Sequence, residues 1–388
     1  MIYFSRVKRV KCLTCGKESL GISEVLGVCR ECIISRFDEV LPYIHQAHVK
    51  ARSMYGLPIS PPRDSKGIRC NICSNQCTIS SGGKGYCGLR LNINGRLQCK
   101  VTSSKALLYA YKDPHVTNCC AAYFCPAGTG IGYPRFAYTH GPEYGYYNYA
   151  VFFYGCNFSC LYCQNFSHKN LFEATEIDIE SFTKAIIRDR LISCICYFGG
   201  SPEPSLPFAI AASRRVLEEC HKRIIRICFE WNGCGNKILV RRASELSLIS
   251  GGNIKFDLKC FDERLSIALS GVSNRQAYEN FKLIAEEYYP QRRSIPVLNA
   301  TTLLVPEYVN ADEVEKIALF ISEINDEIPY SLLIFYPNFM MTDMPITPLK
   351  QVIECYKVAK KYLKNVHVGN LHLIGFKSMQ HFRSVINN

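Results

Sequence analysis

The sequence predicts an α/β fold, a partial (β/α)6 barrel preceded by small cysteine-rich metal-binding segments. From about residue 149 onward, apolar strand candidates alternate with amphipathic stretches of helical period. These strand candidates are too apolar for a sheet with one face in water, so we expect helices to cover a parallel sheet. Before residue 149, cysteines fall in groups with CxxC-type spacing.

Six strand–helix units follow one another in the barrel region. The predicted strands are 150–154, 194–198, 224–229, 254–258, 296–302 and 331–335. The predicted helices are 179–190, 208–222, 237–249, 275–288, 312–324 and 349–363. A short strand, VHVGN, follows the last helix. Six units are fewer than the eight of a closed barrel, so we expect an open or partial one.

Composition divides the chain into four segments. Residues 1–40 form a zinc-ribbon-like segment with two CxxC pairs, and residues 41–66, which include LPISPPRDSKG, are predicted to be a linker. Residues 67–148 form a cysteine-rich accessory region, and its second part is rich in Gly, Pro and Tyr. Residues 149–388 form the partial barrel.

The bulk composition is that of a soluble globular protein, with 48% hydrophobic and 20% charged residues in 388. No apolar run reaches the length of a membrane span, and MIYFSRVKRV lacks the apolar core of a signal peptide. We therefore expect a cytoplasmic protein without a membrane partner. The formal net charge of +13 permits nucleic-acid binding, but the basic residues are dispersed, so charge does not indicate it.

The chain contains 22 cysteines. In a reducing compartment, cysteines with CxxC-type spacing indicate thiolate metal ligands rather than disulfides. The excess also fits an anaerobic habitat, because exposed thiolates and iron–sulfur clusters suffer under oxidation.

The loop GCNFSCLYCQN places Cys156, Cys160 and Cys163 directly after the first barrel strand. It is therefore expected at the carboxyl end of the sheet, where α/β folds place their chemistry. Three thiolates can bind three irons of a cubane and leave the fourth iron open for another ligand. The alternative is a structural zinc or iron site completed by a distant cysteine.

This loop resembles the CxxxCxxC signature of radical S-adenosylmethionine (SAM) enzymes, with Tyr162 as the aromatic residue before the last cysteine. FGGSPEP resembles the glycine-rich motif after the second strand of these enzymes, and WNG resembles the TNG after the third. DLK, followed by SGVSN, resembles the equivalent run in the pyruvate formate-lyase-activating enzymes. Four further segments are similar to the radical SAM enzyme of the AmmeMemoRadiSam system. Three lie in the last third of the chain, LLVPEYVN, FYPNFMMTDMPITPL and VHVGN, and the fourth, CNICSNQCTISSGGKGYCGLRLNINGRL, precedes the barrel.

The resemblance implies an oxidoreductase of the activating-enzyme type. Its [4Fe–4S] cluster would be held by Cys156, Cys160 and Cys163, and SAM would be cleaved reductively there. The resulting 5′-deoxyadenosyl radical would abstract hydrogen from an unidentified substrate, for which a protein is one option. A low-potential electron donor of ferredoxin or flavodoxin type is implied as a partner.

The resemblance also implies residues that bind SAM. Tyr162 is expected near the adenine, and Gly199 and Gly200 are expected where backbone groups hold the methionine amino group. Asp257 and Lys259 are expected at the ribose or the carboxylate, with a strand-end ion pair as the alternative.

The sequence departs from the family pattern beside the glycine pair. An acid commonly follows this pair directly, whereas here Ser201 follows it and the acid is Glu203. The contact to the amino group is therefore expected to rest on main-chain carbonyls.

Two further cysteine groups precede the barrel. Cys12, Cys15, Cys29 and Cys32 have zinc-ribbon spacing, so we expect structural zinc, with rubredoxin-like iron as the alternative. Cys70, Cys73, Cys77 and Cys87 can hold zinc or an auxiliary cluster, and we favour zinc. No role is assigned to Cys119, Cys120 and Cys125.

Two other classes of protein compete with the enzyme hypothesis. One is a zinc-ribbon nucleic-acid-binding or RNA-modifying protein. The other is an iron–sulfur electron carrier, which predicts a cluster with four protein ligands.

Overall fold

The structure, a computed structural model, describes residues 7–117 and 119–386. The first elements of the described residues are an antiparallel pair, β1 (Val10–Lys11) and β2 (Glu18–Ser19). Two helices follow, α1 (Arg30–Ser35) and α2 (Phe37–Ser53).

The predicted linker 41–66 is helical as far as Ser53, which corrects the expectation of a polar connection. Val40, Ile44, Ala47 and Ala51 are all buried and recur at helical spacing, so one face of α2 packs into the core. The proline-rich sequence after residue 56 misled the prediction, because its turn signals do not extend back into this amphipathic stretch.

The amino-terminal segment is joined to the last third of the barrel. The Arg30 guanidinium donates to Glu313 Oε1 at 3.2 Å, and both side chains are buried. The Glu24 amide donates to Asp343 Oδ2 at 2.7 Å, and the Tyr308 hydroxyl donates to the Val28 carbonyl at 2.8 Å.

The accessory region consists of hairpins, one long strand and a single helical turn. Its elements are β3 (Ile68–Arg69), β4 (Thr78–Ile79), β5 (Arg90–Ile93), β6 (Arg96–Cys99), β7 (Lys105–Pro114) and α3 (Pro126–Thr129). β3 pairs with β4 and β5 with β6, both antiparallel.

Eight further strands follow the accessory region. They are β8 (Tyr147–Phe153), β9 (Glu176–Asp178), β10 (Ile192–Gly199), β11 (Arg226–Trp231), β12 (Ile254–Asp257), β13 (Leu298–Leu304), β14 (Tyr330–Ile334) and β15 (Val366–Gly369). Together with β7 they form a nine-stranded sheet in the order β15-β14-β13-β12-β11-β10-β8-β7-β9. The strands from β15 to β8 in this order are parallel, and β7 and β9 add two antiparallel pairings.

Seven helices lie between the parallel strands along the chain, and an eighth, α11, follows the last strand. They are α4 (Ile179–Arg188), α5 (Leu206–Glu219), α6 (Lys237–Ser250), α7 (Glu263–Ser270), α8 (Arg275–Glu287), α9 (Ala311–Ile324), α10 (Leu349–Tyr362) and α11 (Met379–Ile386). The predicted α/β class, with a parallel sheet behind a cysteine-bearing amino-terminal segment, is confirmed. No helix in residues 7–117 and 119–386 is long and apolar enough to cross a membrane.

The sequence analysis did not predict β7, which extends the sheet beyond the first parallel strand. Pro114, at the end of β7, pairs with Tyr147, at the start of β8. The connection between them therefore lies at the amino ends of the parallel strands, opposite the loops that follow β8, β10, β11 and β12.

Candidate active site at the carboxyl end of the barrel

The three-cysteine loop follows β8, as its position in the sequence predicts. Cys156 and Cys160 are buried and Cys163 is half-buried. The Phe158 amide donates to Cys156 Sγ at 3.3 Å, and Cys160 Sγ lies 3.3 Å from Ser270 Oγ. The loop backbone is also fixed to the end of α7, because the Ser159 amide donates to the Ser270 carbonyl at 2.8 Å.

A cavity of about 810 Å³ opens beside this loop. Its walls include the three cysteines of the loop and the ends of several parallel strands. The predicted cofactor-binding residues also line it, namely Tyr162, Gly199, Gly200, Asp257 and Lys259. The structure thus brings together residues that are separated by about a hundred positions in the sequence.

Gly199 and Gly200 let the end of β10 approach β8 closely. A Cβ at Gly200 would lie 2.3 Å from the Gly155 carbonyl oxygen, and a Cβ at Gly199 would lie 2.7 Å from the Phe153 nitrogen. Gly199 also has a φ of +98°, which a side chain disfavours. The close approach that requires glycine here is to the protein backbone of the neighbouring strand and loop.

Ser201 and the WNG turn tie three loops together. Asn232, in the turn after β11, donates from Nδ2 to Ser201 Oγ at 3.0 Å and to Asn157 Oδ1 at 2.7 Å. Asn157 lies between the first two cysteines of the loop and is fully buried. The network holds the cysteine loop, the glycine pair and the WNG turn in one arrangement.

Glu203 faces the protein interior rather than the cavity. Its carboxylate accepts from the Gly233 amide at 2.7 Å, while Oε2 has no partner in the described part of the chain. Complete burial raises the pKa of Glu203 to about 7. Glu203, which lies two positions after the place where the family usually has an acid, therefore stabilises the WNG turn.

A row of alternating charges crosses the cavity wall. Lys259 Nζ lies 3.2 Å from Asp257 Oδ2, and Lys255 Nζ bridges Asp257 Oδ1 at 3.2 Å and Glu230 Oε2 at 2.9 Å. Burial by itself raises the pKa of Asp257, but the two lysines outweigh it and lower that pKa below its usual value. The predicted pair at Asp257 and Lys259 is thus half of a four-residue chain.

Glu230 and Lys255 were missed by the sequence analysis. Both stand inside otherwise apolar strands, in CFEW and IKFD. A charged residue within a buried parallel strand is unusual, and this was the signal that could have found them.

Residues of the connection between β7 and β8 line the other end of the cavity. Cys119 Sγ lies 3.3 Å from Glu230 Oε1, and the Cys120 carbonyl accepts from Ser331 Oγ at 3.2 Å. Tyr123 stacks on His367 with ring centroids 4.3 Å apart. The unassigned cysteines Cys119 and Cys120 therefore face the cavity from the amino end of the barrel.

Lys169 is a third residue that the sequence analysis missed. It is buried in the short helix after the cysteine loop, and burial lowers its pKa while Cys163, Cys156 and Cys160 favour its charged form. When the three thiols ionise, the site becomes negative, and the buried Lys169 ammonium compensates part of that charge.

The residues of this site fit an iron–sulfur cluster and SAM, the cofactors that its three cysteines imply. Burial raises the pKa of the Cys156 thiol and raises that of Cys163 to about 11, so bound cations are needed to keep these sulfurs ionised. The Tyr162 hydroxyl and His168 Nδ1 line the cavity region and are buried without a partner in residues 7–117 and 119–386. Orphaned polar atoms beside three thiols are consistent with a [4Fe–4S] cluster and a polar nucleotide.

The amino-terminal cysteines are arranged for one metal ion. Cys12 Sγ lies 3.8 Å from Cys32 Sγ, and Cys15 Sγ lies 3.7 Å from Cys29 Sγ. A tetrahedral zinc with Zn–S bonds of about 2.3 Å places its sulfurs about 3.8 Å apart. All four sulfurs lie within 4.8 Å of one another, so this group can hold a metal ion.

One family model matches the barrel region. Residues 150–321 match the model of the Radical SAM superfamily. The family implies a [4Fe–4S] cluster and SAM, as the cysteine loop predicted.

Two curated relatives come from Methanocaldococcus jannaschii. Uncharacterized protein MJ0808 is 26% identical over 328 residues, which are 79% of this chain and 83% of the relative. Putative glycyl-radical enzyme activating enzyme MJ1632 is 27% identical over 215 residues, which are 55% of this chain and 77% of the relative.

Two solved structures are also similar. A domain of pyruvate-formate lyase-activating enzyme from Bacteroides vulgatus has a TM-score of 0.34 and 16% identity, covering 45% of this chain and 98% of that domain. Streptococcus suis SuiB bound to S-adenosylmethionine has a TM-score of 0.40 and 14% identity, covering 56% of this chain and 49% of SuiB.

Proposed function

We propose that this protein is a radical SAM enzyme that cleaves SAM reductively and abstracts hydrogen from a substrate in the barrel cavity. The observation that carries the proposal is the shared cavity. Cys156, Cys160 and Cys163 line it together with the glycine pair and the Asp257–Lys259 ion pair.

The three cysteines would hold the [4Fe–4S] cluster. When bound, this cluster supplies the electron that splits SAM into methionine and the 5′-deoxyadenosyl radical. Lys169 lies buried beside the three sulfurs and offsets the negative charge of the occupied site. The hydrogen bond from the Phe158 amide to Cys156 Sγ orients one ligand before the cluster binds.

Cavity residues would bind SAM. Main-chain groups at Gly199 and Gly200 would hold the methionine amino group, since Glu203 is directed at the Gly233 amide instead. Asp257 and Lys259 would contact the ribose or the carboxylate, and Tyr162 would pack near the adenine.

The substrate would be a segment of a protein, as for an activating enzyme. Support comes from the name of MJ1632, which describes a glycyl-radical enzyme activating enzyme. The cavity also extends past the cysteine loop to Glu230 and Cys119, which leaves polar surface for a second reactant beyond the SAM-binding residues.

Anaerobic turnover tests the proposal. Protein reconstituted with iron and sulfide, then mixed with dithionite and SAM, is expected to release 5′-deoxyadenosine. Cys160→Ala should abolish this product, whereas Cys355→Ala, at a buried cysteine in α10, should not. Absence of the product in the wild type, or equal amounts from Cys160→Ala, would overturn the proposal.

We propose zinc for the ion at Cys12, Cys15, Cys29 and Cys32. The sulfur separations of 3.8 and 3.7 Å match tetrahedral thiolate coordination. Rubredoxin-like iron has the same ligands, so metal analysis has to separate the two.

A further inference from the structure

The second cysteine group surrounds a small cavity. Cys70, Cys73, Cys77 and Cys87 line it together with Tyr86 and Arg90. The Cys70 amide donates to the Cys77 carbonyl at 2.8 Å. This hydrogen bond closes the loop that carries Cys70, Cys73 and Cys77. The Tyr86 amide lies 3.5 Å from Cys77 Sγ and points a donor at that sulfur.

The sulfurs of this group are spread more widely than those of the amino-terminal cysteines. Among the described residues, the 4.8 Å separation that marks a single-ion site is met by the amino-terminal cysteines and by no three of Cys70, Cys73, Cys77 and Cys87. A tetrahedral zinc requires sulfurs about 3.8 Å apart. A cubane separates its four thiolates more widely, because each thiolate binds a different iron.

The surroundings of the cavity supply positive charge. Arg90 is only 3% exposed, and its Nε and Nη1 atoms have no partner in the described part of the chain. Its guanidinium lies beside Cys87 and lines the cavity. A buried guanidinium with two unpartnered nitrogens is costly unless an anionic group lies against it, and a cluster with four thiolates is such a group.

We propose that Cys70, Cys73, Cys77 and Cys87 bind a second iron–sulfur cluster, a [4Fe–4S] cubane closed by four protein thiolates. This proposal takes the auxiliary cluster, the alternative to zinc that the sequence left open at these positions. Closure by four thiolates leaves no iron open to SAM, so this cluster differs chemically from the one at Cys156, Cys160 and Cys163.

The second site lies directly against the radical SAM loop. Asn75 Nδ2, between Cys73 and Cys77, donates to the Asn157 carbonyl at 2.7 Å. A Cβ at Gly155 would lie 3.0 Å from the Cys87 carbonyl oxygen. The ligand loops of the two sites are therefore in contact, and two reduced clusters would interact magnetically.

Metal analysis of a variant without the first site tests the proposal. The full chain with Cys156→Ala, Cys160→Ala and Cys163→Ala is reconstituted anaerobically, and iron, sulfide and zinc are measured. We expect about four irons per chain, with a [4Fe–4S] signal that does not change when SAM is added. Loss of all iron together with two zinc ions per chain would overturn the proposal.

A second variant provides the matched comparison. Replacing Cys70, Cys73, Cys77 and Cys87 by Ala should lower the iron content by the same amount as the triple substitution. If this variant does not fold, the triple variant still decides the question. The result is independent of catalysis, because failure of the wild type to cleave SAM leaves the iron count of the triple variant unaffected.

Electron paramagnetic resonance tests the contact between the sites. Reduced wild-type protein should give a spectrum that differs from the sum of the spectra of the two variants. A spectrum equal to that sum would contradict the close placement of the clusters.

Discussion

Asn157 and Asn232 pair through both ends of their side-chain amides. Asn232 Nδ2 donates to Asn157 Oδ1 at 2.7 Å, and Asn157 Nδ2 donates to Asn232 Oδ1 at 3.3 Å. Both residues are buried, so neither amide can exchange its partner for water. The pair fixes the cysteine loop to the turn after β11.

Substitution of either asparagine is expected to destabilise the protein. Asn232→Ala should lower the free energy of unfolding by about 2 kcal/mol, because it leaves the buried Asn157 Oδ1 without its amide donor, while Asn157 Nδ2 keeps only the Cys234 carbonyl. Asn157→Ala should have a similar effect, and the double variant should lose less than the sum of the two. Denaturant unfolding of the reconstituted proteins measures these changes. Strict additivity would show that the pair contributes nothing as a unit.

Gly200→Ala is expected to disturb the cysteine loop. The new methyl group would meet the Gly155 carbonyl oxygen at 2.3 Å, and backbone on both sides leaves little room to relax. We expect a loss of stability of about 1–3 kcal/mol together with weaker cluster binding, seen as lower iron content. Gly141→Ala is the control, since no atom lies within 4 Å of its Cβ position. Equal behaviour of the two variants would contradict the steric argument.

Glu203 is expected to make stability depend on pH. Its pKa of about 7 in the folded state lies above the ordinary value of about 4.3, so the folded protein retains a proton that the unfolded chain has lost. The free energy of unfolding therefore falls as the pH rises from about 4.3 to about 7, and the effect is constant above that range.

Glu203→Gln removes this titration and keeps an oxygen for the Gly233 amide. Between pH 5.5 and 8 the wild type should lose about 2 kcal/mol relative to the variant. Thermal unfolding across this range measures the difference. Parallel curves for the two proteins would contradict the assignment.

Cys15→Ala tests the amino-terminal metal. Cys15 is exposed, so its removal costs little packing and acts through the lost ligand. We expect the zinc content to fall by one ion per chain and proteolysis near α1 to accelerate, while iron is retained. Cys99→Ala, outside the group, should retain the zinc. An unchanged metal content in Cys15→Ala would contradict the site.

The strands and the cysteine loop could be predicted because their signals are local. Apolar runs such as CICYF mark buried strands, and three cysteines within eight residues mark a ligand loop. β7 was missed because four of its ten residues are exposed and thirty-two residues separate its end from the start of its partner β8. Lys169 could not be found from sequence, since only the folded loop brings it to the sulfurs. The choice between zinc and a cluster at Cys70 depends on sulfur separation, which spacing along the chain does not determine.

The ion pair between Arg30 and Glu313 has a consequence for synthesis. On the ribosome, the first forty residues emerge long before their partners at Tyr308, Glu313 and Asp343. During most of translation this segment therefore lacks these anchors, and its order depends on local contacts such as the β1–β2 pairing and on the metal ion proposed at the four cysteines. If that ion is scarce in the cell, we expect the segment to be exposed to proteases until the barrel is complete.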